Sequence, residues 1–198
     1  MVRGRVAQKA FGGDAPGALG SRAARMPTTP PARPAWYRRL PPPLRRVADA
    51  SDRVPAVPLR PGAALRAAVA ALPKVLATGR AEDVEALAQR IADGICLTLR
   101  VPLVRVRVAL RRPPTRRGGE LHGLYVPGDA RARDTITVWM LTAKRGQIVA
   151  YRTFLRTLLH ELCHHLDYTL LHLRDSLHTQ GFYQRESSLF AALGAGEN

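Results

Sequence analysis

At 198 residues, 46% of them hydrophobic, the chain is long enough for one domain with a buried core and too short for two. Its formal net charge of +16, from 31 basic against 15 acidic residues, makes a polyanion the first partner to consider, although 28 of the basic residues are arginine in an Ala-, Pro- and Gly-rich chain, a composition that a GC-rich coding sequence supplies by itself. No apolar run approaches 18 residues, the N-terminus has no apolar stretch resembling a secretory signal, and two cysteines (Cys96, Cys163) exclude a disulfide framework, so a soluble protein of the reducing cytoplasm is expected.

Residues 1–60 hold 11 arginines, one lysine and three acids, together with 10 of the 16 prolines. Proline removes a backbone donor and restricts its predecessor, so a disordered basic tail is expected here. Trp36-Tyr37-Arg38-Arg39-Leu40 is the exception, with aromatics able to dock on the domain or to stack on bases. Met26 is an alternative start of translation.

The domain proper is expected over 61–198. Leu65, Val69, Leu72 and Leu76 recur at helical spacing between Pro61-Gly62 and Gly79, with Pro73 expected to kink that helix. A second helix, Ala81 to Leu99, carries the stripe Val84, Leu87, Ile91 and Ile95, with Glu82 and Asp83 in its first turn. The period then drops to two. Val104, Val106, Val108 and Leu110 alternate with Arg105, Arg107 and Ala109, the pattern of a strand with one buried and one cationic face. Leu121–Val126 and Asp134–Leu141 read as two more strands, so the expected fold class is α+β with a small, mainly antiparallel sheet. A long helix over about 147–171 and a closing helix over Thr179–Leu193 complete the order.

Five of the six histidines lie between His160 and His178. Within the long helix stands His160-Glu161-Leu162-Cys163-His164, an H-E-x-x-H pattern. At 3.6 residues per turn, His160 and His164 share a face and can reach one ion, and Zn²⁺ suits imidazole ligands with an open fourth position. Glu161 adjoins that face without being a ligand and is placed to act as general base on a zinc-bound water. Ordinary residue frequencies produce this pattern by chance in roughly 1% of chains this long. Leu155, Leu158, Leu159, Leu162 and Leu166 supply the apolar side that would bury the helix.

A catalytic zinc site needs a third protein ligand. His178 is preferred: it lies 14 residues beyond His164, far enough for the chain to turn back, and just before the closing helix. Glu186 on that helix is the alternative. His165 is turned about 100° from His164, His172 falls at or past the helix end, and Asp167 is placed to hydrogen-bond an imidazole from behind. Cys163 and Trp139 read as core.

The stretch LLHELCHHLDYTLLHLRDSLHTQGFYQRESSL, residues 158–189, resembles the zinc site of SprT-like metallopeptidases and related minimal zincins. In those proteins the H-E-x-x-H helix is followed by a third histidine and the start of another helix, which His178-x-x-Gly181-Phe182-x-x-Arg185 matches. The resemblance spans roughly residues 80–193. It implies a minimal zincin fold, zinc on His160, His164 and His178, and Glu161 as catalytic base. The sequence holds no C-x-x-C of the zinc ribbon common in SprT proteins, so DNA-associated roles of some relatives do not carry over.

The expected activity is zinc-dependent peptide-bond hydrolysis by a monomer, with one zinc per chain, acting on protein or peptide and not on a membrane. Thr135–Leu141 would be the edge strand beside the cleft, to which a substrate adds. Tyr183 and Arg185 are the two candidates for stabilising the oxyanion. Two rivals remain: a non-catalytic zinc domain, and a nucleic-acid-binding protein using the basic tail and the Arg105/Arg107 sheet face.

Overall fold

The computed structural model describes residues 34–111, 123–129, 132–142 and 145–195. Among the described residues, six helices and a three-stranded sheet make an α+β arrangement. Two helices come from the region expected to be disordered. α1 (Ala35–Arg38) and α2 (Pro42–Asp52) precede α3 (Ala63–Ala77) and α4 (Ala81–Leu99). The prolines that suggested disorder instead begin α2: Pro42 and Pro43 occupy its first positions, where a missing N–H costs nothing. Val47, Ala48 and Ser51 of α2 are buried, and Val57 and Leu59 after it join the main core. The expectation of a disordered 1–60 is thus corrected for 34–60, while residues 1–33 lie outside the described residues. The Tyr37 hydroxyl donates to the Asp49 carboxylate of α2 at 3.0 Å, a contact within this segment and not with the domain expected over 61–198, and Trp36 is exposed.

α3 and α4 have the expected stripes, with Leu65, Val69, Leu72 and Leu76 of one and Val84, Leu87, Ile91 and Ile95 of the other all buried. α3 continues through Pro73 as one helical segment. The strands are β1 (Arg105–Ala109), β2 (Gly123–Val126) and β3 (Thr135–Trp139). Val104, Val106 and Val108 point inward as the alternation requires; Leu110 lies past the end of β1 and is half exposed.

The sheet corrects two expectations. It is mixed rather than mainly antiparallel, since β1 pairs with β3 in parallel and β2 pairs with β3 antiparallel. The order is β1-β3-β2, so β3 is central and β1 and β2 are the edges. Burial explains the placement: Ile136 and Val138 of β3 are fully buried, whereas β1 carries the exposed Arg105 and Arg107 and is better suited to a margin. β1's outer margin is closed by side chains of α4. Gln89 accepts from the Val106 N–H at 2.7 Å and donates to the Val104 carbonyl at 2.9 Å, and Glu85 accepts from the Val108 N–H at 2.8 Å. These side chains satisfy main-chain groups that would otherwise recruit another strand.

α5 (Tyr151–Thr169) crosses the inner side of β2 and β3, and α6 (Gln180–Ala192) packs on α5. Leu155, Leu158, Leu159, Leu162, Cys163 and Leu166 of α5 are fully buried, which fixes the rotation of the helix and hence where its histidines point. Among the described residues no helix is long and apolar enough to cross a membrane.

Candidate metal centre

The i, i+4 spacing on α5 stacks His160 and His164, and the loop from α5 to α6 returns His178 to them. One nitrogen from each ring lies within 4.8 Å of the other two, close enough for all three to bind one metal ion. Nε2 of His178 stands 3.0 Å from that of His160 and 3.2 Å from that of His164. An ion with tetrahedral angles and metal–nitrogen bonds of about 2.1 Å needs nitrogens about 3.4 Å apart, close to these two separations. Among the described residues this is the one such trio.

The opposite ring nitrogens are anchored. His160 Nδ1–H donates to Glu186 Oε2 at 3.1 Å, and His164 Nδ1–H donates to Ser176 Oγ at 2.7 Å. Both bonds leave Nε2 bare toward the common point, the tautomer a metal requires. Burial, joined by repulsion from His160, holds His164 well below the ordinary histidine range and His178 down at about 4. Their rings are therefore neutral at neutral pH, with lone pairs free for an ion. Phe182 closes the floor, its centroid 4.8–5.1 Å from all three imidazoles.

Glu186, the alternative third ligand, sits behind His160 rather than inside the trio. Its second oxygen meets Arg156 at 3.4 Å. Asp167 serves an imidazole as expected, but through an intermediary: it accepts from Ser176, which in turn accepts from His164. Ser176 carried no signal in the sequence, since its role exists only once the α5–α6 loop folds back. His172 is exposed beyond the end of α5. His165 is buried on the sheet side, donating to Asp134 at 2.9 Å and to the Pro102 carbonyl at 2.7 Å.

Glu161 is 6% exposed and lies against edge strand β2. A Cβ on Gly123 would stand 2.5 Å from its Oε1, so the carboxylate occupies space that only glycine leaves open. The Tyr125 backbone N–H donates to it. Burial pushes Glu161 up to about 7 despite the opposing pull of His160 and of that N–H. A carboxylate of this kind exchanges a proton near neutral pH.

The two oxyanion candidates separate. Tyr183 is 37% exposed, and its ring stacks on His178 at 5.9 Å and 21°. Arg185 is fully buried, and its guanidinium bonds Asp167, Ser51 and the Val54 carbonyl, so it cannot reach a substrate. Its place among the catalytic candidates is withdrawn. Cys163 and Trp139 are core residues, and both cysteines are buried and free.

No protein-family model matches the chain, and no curated protein or solved structure matches it either. The chemistry of the site therefore rests on its own geometry.

Proposed function

We propose that the chain is a zinc-dependent peptidase of the minimal zincin type, similar to SprT-like metallopeptidases. The observation that carries this reading is the pairing of three convergent imidazoles with a buried, proton-accepting carboxylate that is not one of them. Three nitrogen ligands favour Zn²⁺ with an open fourth position. When bound, zinc supplies Lewis acidity, acidifying water and polarising a carbonyl oxygen.

The chain's own residues supply the rest. Glu161 takes the proton of the attacking water and returns it to the leaving amine. Tyr183, half exposed above His178, offers a hydroxyl to the developing oxyanion. β2, rather than Thr135–Leu141, is the edge for substrate addition: among the described residues no strand pairs with its outer side, while that of β1 is occupied by Gln89 and Glu85. Glu161 meets β2 at Gly123 and Tyr125, which sets the base beside the segment a peptide would pair with.

A base beside the trio also weighs against a purely structural zinc site, which has no use for one. The test is metal content and cleavage of an unfolded protein, wild type beside Glu161→Gln. Wild type should hold about one Zn²⁺ per chain and cleave; Glu161→Gln should hold the zinc and lose 10²- to 10⁴-fold in rate, roughly the range for general-base loss. Equal rates would sink the mechanism, and zinc without cleavage in wild type would favour the structural rival.

A further inference from the structure

Behind His164 runs a chain of buried polar groups that ends on α2, a helix remote in sequence from the site. Ser176 Oγ–H donates to Asp167 Oδ2 at 2.7 Å, and Arg185 Nη2 donates to Asp167 Oδ1 at 2.7 Å. Arg185 Nη2 also donates to Ser51 Oγ at 2.8 Å, and its Nη1 donates to the carbonyls of Ser51 at 2.7 Å and Val54 at 2.6 Å. Ser51 Oγ lies 2.8 Å from Thr179 Oγ1, and the Gly181 N–H donates to Asp52 at 2.8 Å. A Cβ on Gly181 would collide with the Ser51 carbonyl, so α2 and α6 meet at backbone contact. Ser51, Asp167, Thr179 and Arg185 are fully buried and Ser176 is 7% exposed.

With Asp167 ionised against the Arg185 guanidinium, the direction of each bond follows. Guanidinium has donors only, so Asp167 must accept from Arg185. An ionised carboxylate accepts only, so Ser176 must spend its single proton on Asp167. The oxygen facing His164 is then an acceptor, and His164 must carry its proton on Nδ1. Each group fixes the polarity of the next, from α2 to the imidazole.

We propose that Arg185, Asp167 and Ser176 are positioning residues that set the His164 tautomer, and that α2, by fixing Arg185 through Ser51 and Val54, is a working part of the metal site. The proposal rests on the reading of His160, His164 and His178 as a metal site. Losing such a partner behind a ligand typically weakens metal binding by about 10–100-fold.

The test uses the full chain with two readouts: imidazole ¹⁵N shifts of the metal-free protein, and zinc affinity by competition with a chromophoric chelator. Wild-type His164 should be the Nδ1–H tautomer. Ser176→Ala should mix the tautomers and weaken zinc by about 10–100-fold, with Ser176→Thr restoring both. Ser51→Ala, should Ser176→Ala fail to fold, should act in the same direction by a smaller factor. An unchanged tautomer and affinity in the folded variants overturns the proposal. If wild type binds no zinc, the metal reading fails, while the metal-free tautomer still decides whether the relay exists.

Discussion

His164 and His165 are neighbours on α5, both buried, and their environments drive them to opposite charge states. His164 faces two other imidazoles and a serine oxygen, and burial holds it neutral. His165, turned about 100° to the sheet side, meets an acceptor at each nitrogen. Although burial alone would lower it, the Asp134 carboxylate and the Pro102 carbonyl raise it to about 9. Asp134 is held down at about 2 against its own burial, by His165, by the Tyr125 hydroxyl at 2.5 Å and by the Gly128 N–H. One residue of helical rotation thus separates a candidate ligand from a structural cation. The partners, not the histidine, decide.

Substitutions should break the pair in different ways. His164→Ala should take zinc from about one per chain to near zero, read by metal analysis, whereas His165→Ala should leave the metal in place. A zinc-free His165→Ala that is still folded would show that the two sides are not independent. Next in size, Gly123→Ala should push Glu161 aside and lower peptidase activity about 10²-fold at unchanged zinc content, tested by steady-state cleavage. His165→Ala should cost about 3 kcal/mol by leaving Asp134 without its cation, a fall in Tm of roughly 10 °C.

The smallest effect is a pH dependence. His165 is raised in the folded state, so its contribution is complete below its unfolded pKa near 6.5 and fades as pH rises through about 9. Asp134 is lowered, so its contribution is present above 3.8 and disappears as pH falls through about 2. Denaturant unfolding should therefore show wild type losing stability between pH 6.5 and 9 more steeply than His165→Gln. Parallel curves would remove the charge from the His165–Asp134 pair.

Two helical turns of one sequence were enough to show His160, Glu161 and His164, because an i, i+4 pair is set by local geometry alone. The stripes of α3 and α4 were legible for the same reason, and His178 because its distance from His164 allows one return of the chain. The prolines of 41–43 misled, since proline signals a break inside a helix and a start at its first turn, and only α2's packing tells these apart. The order of strands was equally hidden: alternation reveals which face of β3 is inward but not which strands flank it.

What the sequence determined by itself is therefore the helix that carries His160, Glu161 and His164 and the apolar face that orients them, all governed by contacts within a few residues. What the tertiary structure alone decided is what stands behind and beside those groups. Arg185 became an anchor rather than an oxyanion donor because Ser51, 134 residues away, offers it acceptors. β2 became the candidate edge for substrate addition because α4 seals β1. Hydrogen-bond partners at such separations leave no periodic trace along the chain, since they are selected by how whole elements pack and by the cost of leaving a buried polar group unpaired.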